Sequence, residues 1–197
     1  MKTEREKMLC GEFYDTRDHE LRALSSNAKD LMRIYNSLPA ENTEARNQMI
    51  RMLFGACGDN IRVNQPIYVD YGSNISIGSN CLINMNCTLL DTGRIIIGDN
   101  TLIGPDVKIY TAVHPLSASE RFFTDEKGEK AVRTQTAAVT IGSNVWIGGG
   151  VILLPGITIG DNAVIGAGSV VTESIPANAV ACGNPCKVKK YLIEQTL

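Results

Sequence analysis

A mainly β chain is predicted, a solenoid of short strands stacked coil on coil and preceded by an α-helical segment. Three observations carry this reading. From Ile77 onward aliphatic residues recur at every sixth position over long stretches, Gly follows many of them directly, and the first 56 residues have a different rhythm, of threes and fours. The 197 residues suffice for one domain with a small appendage, divided here into a helical segment at 1–56 and a repeat domain at 57–197.

Composition sets the limits. Apolar residues make up 44% and charged residues 20%, so disordered and collagen-like chains are excluded. A net charge of −2 argues against bulk nucleic-acid binding. The longest apolar runs are too short to cross a membrane. Met1-Lys2-Thr3-Glu4-Arg5-Glu6 is not followed by an apolar core and does not read as an export signal, so a cytoplasmic protein is expected. The six cysteines form no C-x-x-C pair and read as reduced, mostly buried small hydrophobes. With two histidines and no ligand spacing, no metal site is expected.

Leu21, Leu24, Ala28, Leu31 and Tyr35 form the apolar stripe of an amphipathic helix, which Pro39 interrupts. A second helix is predicted from Glu41 to Phe54, with Ala45, Met49, Met52 and Leu53 on one face and its end near Gly55. Neither stripe makes a core alone, so both helices must pack on the repeat domain.

In the repeat, Ile77, Ile83 and Leu89 are spaced by sixes, as are Ile97, Ile103 and Ile109. Ile141, Ile147, Leu153, Ile159, Ile165 and Val171 make six units without a slip. Small or branched residues follow four positions later, and Asn recurs just before them at Asn80, Asn100, Asn144 and Asn162. Each unit is a short strand with one aliphatic side chain inward, then a tight turn that suits Gly, Asn or Asp. Three units close a triangular coil of roughly eighteen residues, and stacked coils bury a continuous aliphatic column. A two-layer sandwich instead requires alternation at period two with turns every ~8–12 residues.

The rhythm breaks twice. Leu89 to Ile97 is a step of eight, through Asp91-Thr92-Gly93. Between Ile109 and Ile141 a polar stretch is expected to protrude as a loop at about 114–138, since Thr124 to Thr136 is too polar to bury. The basic tail Cys186-Lys187-Val188-Lys189-Lys190 is expected to cap the column.

His114 is the leading candidate for chemistry. It stands at the second break, Pro115 biases it toward extended backbone, and an imidazole suits a base at neutral pH. The competing reading is a histidine satisfied at a loop edge. His19 reads as solvated or as a capping residue. Asn84, Asn86 and Asp91 fall between inward positions and are expected to face outward. Asp70 and Tyr71 precede Gly72 as a turn or as ligands. Trp146 is the only Trp, at an outward position that a loop, a ligand or another subunit must cover. Gly148-Gly149-Gly150 opens no helix and reads as a place of close backbone approach. Phosphate-loop and serine-nucleophile motifs are absent from the sequence.

Taken together, the repeats, the N-terminal helices, Asp70-Tyr71-Gly72-Ser73-Asn74-Ile75 and Tyr110-Thr111-Ala112-Val113-His114-Pro115 resemble the maltose and galactoside O-acetyltransferases. So do Ile141-Gly142-Ser143-Asn144-Val145-Trp146-Ile147-Gly148-Gly149 and Gly183-Asn184-Pro185-Cys186. The resemblance covers nearly the whole chain. It implies a left-handed parallel β-helix, assembled as a homotrimer with sites between adjacent columns. It also implies transfer of acetyl from acetyl-CoA to a sugar hydroxyl, without a metal. His114 is then the general base. Asn84 matches the position that orients acceptor and histidine; Asp70, Asp91 and Thr92 match acceptor-side positions, and Asp15 does so more loosely. Gly149, Ala167, Thr172, Lys187 and Lys190 match positions along the coenzyme A path. Glu173 departs from the family, standing where a lysine is frequent, and Lys187 and Lys190 stand where arginines occur. The loop from Arg121 to Ala138 looks several residues longer than in the best-known members.

Three other readings compete. A zinc carbonic anhydrase on the same helix needs three histidine ligands, which two histidines do not supply within one subunit. A non-catalytic scaffold predicts a damaged His-Pro break, and this one is intact. Serine or xenobiotic alcohols remain as rival acceptors for the same transferase chemistry, because fold alone does not choose among them.

Overall fold

The computed structural model describes residues 2–192; residues 193–197, the end of the expected repeat domain, lie outside the described residues. Helix α1 (Glu4–Leu9) comes first, started by a capping box in which Thr3 and Glu6 bond each other's backbone N–H groups. It leaves no periodic trace in the sequence, because a six-residue helix burying only Met8 carries no stripe. Helix α2 (His19–Ser37) follows, capped by Asp18, with Leu21, Ala28 and Tyr35 buried along the expected stripe. Helix α3 (Thr43–Leu53) starts at the cap Asn42 and buries Ile50 and Leu53. Met52, assigned to that face by the sequence, is 66% exposed. The inward stripe runs through Met49, Ile50 and Leu53 instead.

The rest of the chain winds into a prism with three parallel sheets as faces. The first face stacks Ala56–Cys57, Ile75–Ile77, Ile95–Ile97, Val139–Ile141 and Thr158–Ile159. The second stacks Arg62–Val63, Leu82–Ile83, Leu102–Ile103, Trp146–Ile147, Val164–Ile165 and Ala179–Cys182. The third stacks Ile67–Val69, Cys87–Leu90, Lys108–Tyr110, Ile152–Leu153 and Val170–Val171. All pairs within these faces are parallel, and the six-residue aliphatics from Ile141 to Val171 point into a single buried column.

Coil length departs from the expected eighteen in the lower half. Ile77 pairs with Ile97 and Leu82 with Leu102, twenty residues apart, whereas Ile141 pairs with Ile159 and Ile152 with Val170 at eighteen. The two extra residues bulge at a corner, and the step through Asp91-Thr92-Gly93 is one such bulge. At another corner Asn60, Asn80, Asn100, Asn144, Asn162 and Asn178 stand one above another, all at φ between +53° and +60°. Each side-chain amide donates to the next carbonyl along the row, at 2.9–3.2 Å. Asn serves here because it tolerates the left-handed conformation and also ties one turn to the next.

Both ends are closed. At the bottom the Tyr35 hydroxyl donates to the Val63 carbonyl at 2.6 Å, and Asn36 exchanges two hydrogen bonds with the Ile67 backbone. These bonds satisfy an edge that is otherwise a template for pairing. At the top Lys187–Tyr191 runs back antiparallel to Ala179–Cys182. Between the third-face strand Lys108–Tyr110 and Val139 the chain leaves the prism: Ala112–Val113 pairs with Gln135–Thr136, and a hairpin of Phe122–Thr124 and Lys130–Val132 forms the tip. This excursion is not wholly exposed, as its polarity suggested. Ala131, Thr134 and Thr136 are buried because the N-terminal segment lies over its base, where the Thr136 hydroxyl donates to the Met8 carbonyl.

Candidate functional site

His114 follows Ala112–Val113 at the root of the excursion and is exposed. Its Nδ1 lies 3.1 Å from the Arg133 carbonyl on the returning strand. A carbonyl only accepts, so Nδ1 carries a proton, and Nε2 is the ring nitrogen left to accept one. A ring held in this way has one defined proton acceptor. Its base is tied to the column through Thr111, whose hydroxyl donates to the Leu90 carbonyl and receives the Gly93 N–H, both at 2.7 Å. The two breaks in the repeat therefore meet in space.

Asp70 and Thr92 come together beside that junction, the Thr92 hydroxyl donating to Asp70 Oδ2 at 2.9 Å. Asp91 corrects the expectation from sequence. It is 0% exposed rather than outward-facing. Its Oδ1 receives the N–H groups of Asp70 and Tyr71, at 3.0 and 2.9 Å, and its Oδ2 receives that of Asn74 at 3.2 Å. Burial pushes its carboxyl above the ordinary value while these N–H groups oppose the shift. Asp91 therefore shapes the 70–74 turn and offers no surface to an acceptor.

Asp15 sits on the strap between α1 and α2. Arg17 chelates it, and this hydrogen-bonded guanidinium holds the Asp15 carboxyl below its ordinary value. The same guanidinium reaches Asp125 at 2.8 Å and Glu129 at 3.3 Å in the hairpin and lies over Phe123. The strap thereby clasps the tip of the excursion. Tyr14 bridges Thr134 and is buried, which raises its pKa; nearby Tyr71 and Asp70 add to the shift. Tyr71 is pushed up to about 12, by burial first and then by Asp70, Asp91 and Asp18. Strap, Asp70 and His114 thus gather on one side of the prism.

Asn84 stands apart. It ends the strand Leu82–Ile83, and its Oδ1 receives the Met85 N–H at 2.8 Å and the Asn64 amide at 3.3 Å. Among the described residues no hydrogen bond joins Asn84 to His114. Gly149 and Ala167 lie on the corner between the second and third faces, in one row with Met85 and Pro105, linked by Gly150 N–H to Pro105 and Gly168 N–H to Gly149. Upward along that row the side chains shrink from Met85 and Pro105 to Gly149 and Ala167. Thr172 and Lys190 are exposed near the top. Lys187 is paired with Glu173 at 2.9 Å, so its charge is partly neutralised. Among the described residues no group of three His, Cys, Asp or Glu side chains is placed to hold a metal ion.

Comparison with known proteins bears on this geometry. Residues 7–58 match the maltose acetyltransferase hexapeptide capping motif, and residues 138–173 match the bacterial transferase hexapeptide of six repeats. The galactoside O-acetyltransferase of Escherichia coli K12 is 40% identical over 93% of this chain and 86% of its own. The chain belongs to the maltose and galactoside O-acetyltransferase family. Within that family, the crystal structure of a maltose O-acetyltransferase from Clostridium difficile 630 superposes with a TM-score of 0.91 at 48% identity, covering 98% of this chain and 99% of the other. A hexapeptide-repeat acetyltransferase from Vibrio cholerae, solved with acetyl coenzyme A, superposes at 0.86 with 36% identity, covering 98% and 100%.

Sequence reasoning missed a cleft. Strap and hairpin flank an open cleft of about 490 Å³ whose wall includes Glu4, Lys7, Phe13, Asp15, Phe123 and Arg133. The only hint in the sequence is aromatic pairs, Phe13-Tyr14 and Phe122-Phe123, set among charged residues.

Proposed function

We propose that this chain transfers the acetyl group of acetyl-CoA to a hydroxyl of a sugar or glycoside, with His114 as general base. The observation that carries the reading is the Arg133 carbonyl on His114 Nδ1, which leaves Nε2 free to take a proton. The acceptor hydroxyl gives its proton to Nε2 as its oxygen attacks the thioester carbonyl. The tetrahedral intermediate collapses, the C–S bond breaks, and the imidazolium returns the proton to the departing sulfur. The products are the acetyl ester and free coenzyme A. Asp70 and Thr92 are assigned to the acceptor, with Asp15 on the strap; Asn84 is assigned to orientation of acceptor and histidine. Gly149 and Ala167 suit the pantetheine arm, because their corner carries no bulk, and Thr172, Lys187 and Lys190 suit the phosphate end. Both relatives' names and the acetyl coenzyme A complex of the Vibrio cholerae protein support donor and reaction class.

The active unit is proposed to be a homotrimer. Leu102 and Trp146 are in register on the second face and are 46% and 57% exposed. A neighbouring column covers such a stripe, and a partner brings its Asn84 or cofactor corner toward His114. A cytoplasmic setting fits cysteines that form no disulfide among the described residues. No helix among them is long and apolar enough to cross a membrane. The test is an acceptor screen with acetyl-CoA, following thiol release with maltose, glucose, galactosides, serine and amphenicol alcohols. Release with a sugar supports the reading; release only with serine or an amphenicol overturns the sugar assignment.

A further inference from the structure

The chain that follows His114 has no regular element to hold it. Pro115 and Leu116 belong to no strand or helix, and Leu116 is 94% exposed. A base at such a place keeps its aim only if the backbone beside it is tied down. One side chain does the tying. Arg121 is exposed, just after the 3₁₀ turn Ala118–Glu120, and folds back on the loop. Its Nε donates to the Pro115 carbonyl at 3.0 Å and its Nη2 to the Leu116 carbonyl at 2.8 Å. These two nitrogens form one edge of the guanidinium fork, so two successive carbonyls are gripped in a fixed geometry.

The main chain of the same residue acts from the other side. The Arg121 carbonyl receives the Arg133 N–H at 2.8 Å, and the Arg133 carbonyl is the acceptor for His114 Nδ1 at 3.1 Å. A closed circuit results: from the imidazole to Arg133, from Arg133 to Arg121, and from the Arg121 side chain to the residue bonded to His114. Among the described residues Arg121 makes no salt bridge, so no carboxylate draws the fork away. Hydrogen bonds from a charged donor are also the stronger kind.

We infer that Arg121 is a positioning residue for the transfer reaction. Its side chain fixes the backbone from which His114 projects, and its carbonyl places the group that fixes the histidine's tautomer. It acts through the histidine alone. The inference rests on the general-base reading above.

The experiment follows thiol release from acetyl-CoA with a sugar acceptor in wild type, Arg121→Ala, Arg121→Gln, His114→Ala and the double variant of Arg121→Ala with His114→Ala. Each variant is first shown to be folded and to have the wild-type oligomeric state. Both Arg121 variants should lower kcat by ~10- to 100-fold, the cost of a misaimed group, with KM for acetyl-CoA unchanged. Added to His114→Ala, the Arg121→Ala change should cost less than about 2-fold, because nothing is left for it to aim. Nitrogen NMR of the imidazoles gives a reading independent of turnover, and with only two histidines in the chain His19→Gln assigns the signals. At about pH 9, well above the ordinary imidazole value, wild-type His114 should hold its proton on Nδ1, whereas in Arg121→Ala both nitrogens should share it. Turnover close to wild type in both Arg121 variants overturns the inference. So does an undiminished loss in the His114→Ala background, which marks a role in folding or substrate binding, and so does a wild-type tautomer in Arg121→Ala. If His114→Ala itself keeps full turnover, or no sugar is acetylated, the parent reading fails and the catalytic role of Arg121 with it, while the tautomer still reports whether Arg121 sets the ring.

Discussion

Replacing Asp91 with Ala tests the corrected assignment of that residue from reacting surface to buried support. The substitution strips the acceptor from three backbone donors, the N–H groups of Asp70, Tyr71 and Asn74, in a place with no exposed side-chain surface. A buried donor left unpaired costs about 1–3 kcal/mol, and partial relaxation makes such costs sub-additive, so a loss of roughly 3–5 kcal/mol is expected. Asp91→Asn is the informative control. Its carbonyl can still serve Asp70 and Tyr71, but its NH₂ then opposes the Asn74 N–H, for a cost of about 1–2 kcal/mol. Urea unfolding at a fixed protomer concentration reads both values, with the midpoint falling further for Ala than for Asn. An Ala variant within about 1 kcal/mol of wild type would refute the buried-anchor account.

Glu173→Lys removes the partner of Lys187 and adds a charge near the proposed phosphate end; at so exposed a pair this is worth on the order of 1 kcal/mol at low salt. A several-fold lower KM for acetyl-CoA with kcat unchanged is expected in steady-state assays, and an unchanged KM removes Glu173 from that site. Trp146→Glu places a charge on the exposed stripe and should dissociate the proposed homotrimer in light scattering with loss of activity; an oligomeric state and activity equal to wild type contradict the packing proposed. Acid should open the clasp. Asp125 is held low by the Glu129 N–H and then by Arg17, and Asp15 by Arg17, so both contributions are full above the ordinary carboxylate value and lost as pH falls through the lowered one. Amide protection of residues 122–132 should therefore drop below about pH 4. In Arg17→Ala it should be low throughout, and protection that persists in that variant contradicts the clasp.

What the sequence disclosed follows from range. The column was legible because each unit repeats its own local physics: an inward aliphatic, then a turn residue, as the buried run Ile141 to Val171 and the Asn row bear out. His114 could be singled out because the repeat stops there. The features that escaped depend on distant partners. Thr136 is buried by a contact with Met8, 128 residues away, and no local polarity rule foresees it. Asp91 looked outward because it falls between the six-residue inward positions Leu89 and Ile97, yet it continues the inward alternation of Cys87 and Leu89; its partners are N–H groups 17 to 21 positions earlier. Phe13 and Phe123 acquire meaning only when strap and hairpin meet. Helix α1 was visible in principle, since Thr3 and Glu6 have the capping-box spacing.

If His114 takes the acceptor's proton, its loss is read directly by thiol release from acetyl-CoA with a sugar acceptor, measured for wild type and for His114→Ala shown to be folded and to have the wild-type oligomeric state. The expected result is a fall in kcat of ~10²–10⁴, or roughly 3–5 kcal/mol of barrier, with KM for acetyl-CoA nearly unchanged. Turnover within a few-fold of wild type would contradict it.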